Sequence, residues 1–304
     1  MPVARVMAAS SGSTLACLPY GTGGDREGVC LQVRLGPHLL LLDCGLNSLD
    51  ALAVDTQPAA WAICSHAHAE HARGFLALHH RYPDLPIYTS ELTGALLSLN
   101  WPSEQPEPFW QTLAWRSPTQ LAPDLQVQLF PAGHLPGAAA ILLTYQTPQR
   151  AYTLLYTGDF FLSNSRLVEG LSLEMLRSLA PDVLIVEGRY GTARHPRRRQ
   201  LEKQLLAQIE EALMREYSLL LPVPPLGLGQ ELLVLLRSHH QFTGRDVEIW
   251  VAGQVAAACD RYAFFCPRVM WQTPTSSSRA WPVWSRSARR RGRVRRRSRV
   301  SRIW

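Results

Sequence analysis

No run of 18 uncharged apolar residues occurs in the 304-residue chain, so no transmembrane helix is expected. The stretch "MPVARVMAASSGSTLACLPYG" lacks a long apolar core of the secretory kind, which leaves a cytoplasmic location as the expectation. None of the six cysteines (Cys17, Cys30, Cys44, Cys64, Cys259, Cys266) belongs to a C-x-x-C pair, and most sit in strand-like apolar runs. Buried free thiols in a reducing compartment are therefore expected, with no disulfide framework. Acid is absent from residues 276–304, which hold eleven arginines. Without them 20 basic residues face 24 acidic ones, a net of −4 against +7 for the whole chain. The charge balance thus gives no support for a globally basic nucleic-acid-binding surface on the body of the protein. Lysine occurs once, at Lys203, against 30 arginines, the bias of a GC-rich coding sequence, and no histidine follows His240.

What is present alternates. "VCLQVRL" (29–35) has period two and "LLLL" (39–42) is continuous. Residues 60–64, 125–130, 138 onward and 151–157 extend this set of strand-like runs. Helical patterns over 71–82, 90–99 and 171–180 interleave with them, which predicts two sheets, or a sheet sandwich, covered by helices. Beyond "VLIVEGRYG" (183–191) the texture changes. A long helix over 197–216 is followed by a buried strand in "SLLLPV", a helix in "GQELLVLLRSHH", a strand in "VEIWVAG" and a helix in "QVAAACDRYAFF". That alternation reads as a doubly wound parallel sheet. Residues 272–304 carry no periodic pattern and are expected to be disordered.

Three histidines and a carboxylate fall within six positions in "SHAHAEH". If the strand ends near Ser65, His66, His68, Glu70 and His71 lie on a loop entering a helix from about His71. A loop can turn all four side chains toward one point. Imidazole and carboxylate are both good zinc ligands, so a metal site outweighs a histidine-rich surface loop. "FPAGHLPGAA" puts His134 after an apolar strand, between glycines that allow tight bends. "LLYTGDF" and "LLLLDCG" place Asp159 and Asp43 at strand ends; alone, each would be a turn residue bonding its own backbone.

In their order, "LLLLDCG", "SHAHAEH", "AGHLPGAA" and "LYTGDF" resemble the leading motifs of the metallo-β-lactamase fold. "VEGRYGTARHPRRRQLEKQL" resembles the first motif of its β-CASP branch, and the likeness runs over roughly residues 10–268. The resemblance implies an αββα metallo-β-lactamase sandwich over 1–188, lacking its C-terminal return. A partial β-CASP α/β domain over 189–271 would follow, then an arginine-, tryptophan- and serine-rich tail over 272–304. It also implies a zinc-dependent nuclease of RNA processing. In that reading His66, His68 and His134 hold one zinc, Glu70 and His71 the second, and Asp159 bridges. Asp43 would orient a ligand histidine, and Glu187 would support the site. Glu70, Asp43 and Glu187 are thus the candidate catalytic set. Two zinc ions about 3.5–4 Å apart would activate water for in-line phosphodiester cleavage. Arg189, Arg194, His195 and the 197–199 run are candidate phosphate contacts, weighed against a solvated helix start. The expected partner is single-stranded RNA, with no membrane, and with a homodimer as the admissible oligomer.

Two features depart from the branch. Its usual aspartate is Glu70 here, and one extra methylene moves the carboxylate by roughly 1.5 Å. Metal distances tolerate about ±0.2 Å, so weaker occupancy of the second zinc is expected. The two histidines that the branch supplies later are absent from this sequence. One expectation is therefore that residues from about 272 are out-of-frame sequence replacing a C-terminal half; its rival is a basic arm that binds nucleic acid in a salt-dependent way. Two other functions compete with the nuclease: hydrolysis of small esters or thioesters, and metal-poor binding of RNA or a partner without catalysis.

Overall fold

The period-two alternation from Val29 to Leu35 puts Leu31, Val33 and Leu35 on one face, and all three are buried. In the computed structural model this run is one strand of a six-stranded sheet. The structure describes residues 15–23, 27–53, 59–194, 197–242, 247–251, 253–265 and 301–303. The chain divides into two units, Met1–Glu187 and Gly188–Trp304.

In the first unit, β1 (Leu15–Thr22), β2 (Val29–Leu35), β3 (His38–Leu42), β4 (Trp61–Ile63), β5 (Ile87–Ser90) and β6 (Gln111–Leu113) form one sheet in that order. The pairs among β1, β2 and β3 are antiparallel, and those from β3 to β6 are parallel. The second sheet has the order β11-β10-β9-β8-β7, from β7 (Thr119–Ala122), β8 (Leu125–Pro131), β9 (Ala139–Gln146), β10 (Ala151–Tyr156) and β11 (Val183–Ile185). β1 was not foreseen from the sequence; it is a sheet edge with a register shift at Pro19, a position where a missing N–H is tolerated.

The sheets pack face to face. Leu40 and Leu42 of β3 and Ile63 of β4 share one core with Val127 and Leu129 of β8 and Ile141 and Leu143 of β9. Burying each such side chain contributes roughly 1.5–3 kcal/mol. Helices α1 (Asp50–Ala53), α2 (Ala69–Ala72), α3 (Phe75–Arg81), α4 (Glu91–Leu97) and α5 (Leu173–Leu179) complete the unit. Met175, Leu176 and Leu179 of α5 cover Phe130, Leu142 and Leu155 on the outer face of the second sheet. Leu78 of α3 and Leu41 of β3 line one cavity on the outside of the first. The layers are therefore αββα. Two helices start on serines whose Oγ accepts a backbone N–H: Ser90 from Thr93 and Ser172 from Met175.

The expected helix over 71–82 is two helices, and α2 begins at Ala69. Glu70 and His71 therefore lie in a helical turn, where the sequence reading had a loop.

The second unit holds α6 (Arg198–Met214), α7 (Leu228–Ser238), β12 (Val247–Ile249), α8 (Gly253–Phe265) and β13 (Ser301–Ile303). Leu206, Ile209 and Leu213 of α6 pack on Leu235 and Leu236 of α7 and on Phe242. Among the described residues this unit has a two-stranded parallel sheet, β12 with β13, where a wider doubly wound sheet is expected. "SLLLPV" is not a strand. Leu219 and Leu221 face the core and Leu220 faces out, yet Pro222, Pro224 and Pro225 have no N–H to give a ladder. The disorder expected over 272–304 lies outside the described residues, except that Ser301–Ile303 are a strand. Cys30, Cys44, Cys64 and Cys259 are buried free thiols, Cys17 is partly exposed, and Cys266 lies outside the described residues.

Candidate metal centre

Two pairs of strands, one in each sheet, deliver the chemistry. β3 and β4 are parallel, and β8 and β10, each antiparallel to β9, are parallel to one another. Their C-terminal ends lead to Asp43, to Ser65 and His66, to His134 and to Asp159. The edges are joined by the Ala139 N–H, which donates to the Ser65 carbonyl at 2.9 Å. Gly133 and Gly137, at φ 76° and 92°, turn the His134 loop back on itself. The hydroxyls of Ser90 and Thr93 donate to the Gly137 carbonyl and tie that loop to α4. Asn100 Nδ2 donates to the Ala67 carbonyl at 3.0 Å, bracing the loop that carries His66 and His68.

His66, His68, His134 and Asp159 each offer one ligand atom, and these atoms lie within 4.8 Å of one another. The ring centroids of His66, His68 and His134 are 4.9–5.0 Å apart. The Asp159 carboxylate spans the group: Oδ2 is 3.6 Å from His134 Nε2 and 4.0 Å from His66 Nε2, and Oδ1 is 3.2 Å from His71 Nε2.

Asp43 lies beneath, fully buried and at φ 60°, a left-handed conformation that aspartate tolerates better than most residues. Its Oδ1 accepts the Ser65 N–H at 2.6 Å; its Oδ2 accepts Ser65 Oγ–H at 2.7 Å, Tyr156 Oη–H at 2.6 Å and His71 Nδ1 at 2.7 Å. These contacts settle the tautomers. Ser65 spends its proton on Asp43, so at 3.0 Å its oxygen accepts from His66 Nδ1–H. His66 Nε2 then carries a bare lone pair, and it is buried with no hydrogen-bond partner. His134 Nδ1 is likewise buried and unpartnered.

Burial first, and the neighbouring histidines second, hold the His66 pKa well below the ordinary imidazole value. His134 is lowered to about 4, again chiefly by burial. Burial would lower His71 too, but the Asp43 and Asp159 carboxylates outweigh it and raise its pKa to about 10. The unsatisfied His66 Nε2, beside the Asp159 carboxylate and the His68–His134 pair, whose Nδ1 and Nε2 lie 3.1 Å apart, fits a divalent cation.

Glu70 is not in this group. Adjacent helical residues point about 100° apart, and His71 takes the inward direction between Asp43 and Asp159. Glu70 is half-buried, and its charge is still felt at His134. Glu187 donates its backbone N–H to Thr157 Oγ1 at 3.3 Å. Arg189 and Arg194 are exposed residues of the second unit, and His195 lies outside the described residues. Arg198 pairs with Glu202 at 3.0 Å and with Glu231, so its charge is already met within the fold. Ser65 and Tyr156 were not singled out from the sequence. Their only signal is position, next to H-x-H and at the end of the strand before Thr-Gly-Asp.

Residues 38–213 match the family described as "Beta-lactamase superfamily domain". The chain belongs to that family. Its αββα layers are the family's metallo-β-lactamase fold. Within the family, the chain is 52% identical over 251 residues to the uncharacterized protein sll0514 of Synechocystis sp., a match over 82% of this chain and 45% of that one. It is 30% identical over 234 residues to "Probable RNase MJ4" of Methanocaldococcus jannaschii, covering 69% of this chain and 54% of the relative. The chain thus spans about half the length of these relatives. A crystal structure of a protein of unknown function from Enterococcus faecalis superposes with a TM-score of 0.53 at 15% identity, covering 84% of this chain and 68% of that one.

Proposed function

We propose that this chain is the metal-bearing part of a β-CASP-type hydrolase that cleaves phosphodiester bonds in single-stranded RNA, with zinc as its metal. One observation carries the reading: three imidazole nitrogens and a carboxylate oxygen lie within 4.8 Å of one another, in a chain whose relatives include one named as an RNase. His66, His68, His134 and Asp159 would hold one zinc; His71, reached through the other oxygen of Asp159, would serve a second. A zinc bound there would supply a nucleophile by lowering the pKa of water, and a positive charge to offset that building on the phosphate.

The protein's own contribution is orientation. Asp43 holds His71 in place directly and, through Ser65, sets the His66 tautomer, so that His66 Nε2 faces the centre as a bare lone pair. Arg189 and Arg194 would contact backbone phosphates as point charges. Glu187 would support the site from the end of the first unit. A second reading, RNA binding with weak cleavage, is favoured by the place of Glu70 outside the four-residue group.

The test is a zinc titration of the full chain with labelled single-stranded RNA. Zinc-dependent cleavage that His68→Ala abolishes supports the reading. Ester turnover without RNA cleavage overturns it, and RNA binding without cleavage supports the second reading.

A further inference from the structure

Between β6 and β7 the chain runs beside β8, where Trp115 bridges in parallel to Leu129. Trp115 is nonetheless 40% exposed. The next residue, Arg116, is exposed at φ 57°, a left-handed backbone that glycine adopts freely and a long side chain does not. Two hydrogen bonds hold it there. The Arg116 N–H donates to the Leu129 carbonyl at 2.8 Å, and Gln128 Nε2 donates to the Arg116 carbonyl at 2.7 Å. Among the described residues, neither the indole nor the guanidinium meets a hydrogen-bond, ring or ion-pair partner. The fold thus fixes the backbone at 115–116 and leaves both side-chain heads without a polar partner. Outside residues 276–304 the chain carries more acid than base, so an unpaired arginine here is not general surface basicity.

An exposed indole next to a free guanidinium suits a single nucleic-acid strand, with a base on the ring and a phosphate on the cation. The place fits as well. Leu129 stands five residues before His134, at most about 18 Å of extended chain from the metal centre. We infer that Trp115 and Arg116 anchor single-stranded RNA beside β8, Trp115 by stacking on one base and Arg116 by pairing with one phosphate. This rests on the RNA reading above. Both are positioning residues for the strand and take no part in proton or phosphoryl transfer.

The test uses the full chain in chelator, so that binding is read without cleavage, with a labelled single-stranded RNA followed by fluorescence anisotropy. Arg116→Gly suits the left-handed backbone, so it removes the guanidinium and keeps the turn. The slope of log affinity against log salt is expected to fall by about 0.7, the share of one phosphate on a single strand. Trp115→Ala should weaken binding roughly tenfold with that slope unchanged, and Trp115→Phe should restore most of the loss. If Arg116→Gly leaves the slope where it was, or Trp115→Ala binds as tightly as the unmodified protein, the anchor falls. RNA cleavage and its His68→Ala control would then still stand. If the unmodified protein neither binds nor cleaves RNA, both readings fall.

Discussion

Asp43 Oδ2 lies 2.7 Å from His71 Nδ1, although the two residues are 28 positions apart and belong to different elements. The same oxygen also takes the hydroxyls of Ser65 and Tyr156. One buried carboxylate thus sets the orientation of the site from below. Asp43→Asn keeps the size and the tolerance of positive φ but turns an acceptor into a donor facing three donors. Metal affinity is expected to fall roughly 10- to 100-fold, measured by titration calorimetry. Unchanged affinity would mean that His71 and His66 hold their places without Asp43.

Removing a member of the cluster should cost more. His134→Ala is expected to lose bound metal beyond the roughly 10- to 100-fold of an outer partner. Glu70→Ala, at a residue outside the four-residue group, should retain most of it. Metal content after dialysis separates the two. Equal losses would place Glu70 among the ligands.

Gly45 is a packing constraint on the same centre. A Cβ there would sit 1.7 Å from the Glu70 carbonyl oxygen, in the helix that carries His71. Gly45→Ala must displace α2 and is expected to destabilise the chain by roughly 1–3 kcal/mol, read by denaturant unfolding, and to weaken metal binding with it. A wild-type melt would show that α2 moves freely.

A modest acid dependence should come from Asp182. The Thr153 N–H, with Arg150 and the Thr153 hydroxyl, holds its carboxyl below the usual aspartate value. A folded pKa depressed in this way gives stability present above the unfolded value and lost as pH falls through the folded one. Asp182→Asn should therefore flatten the decline of thermal stability below about pH 4, the usual range for aspartate. Arg150 is exposed, so salt should shrink the difference. An identical acid limb in both proteins would remove this pair from the account.

The sequence by itself determined the layers of the first unit and the kinds of atom in the site. Period-two and continuous apolar runs such as 29–35 and 39–42 can bury themselves only as strands, and three histidines with two strand-end aspartates are suited to a cation. Tertiary structure alone decided which of them meet. Parallel strands in two sheets bring the ends after β3, β4, β8 and β10 to one edge, and no local pattern encodes that pairing. It also decided that Glu70 falls outside the four-residue group, in a helix that begins two residues before His71 and separates neighbours around its axis. The second unit follows its sequence less closely for a related reason: the apolar run 219–223 looks like a strand, but Pro222 breaks its row of donors and only Leu219 is bridged.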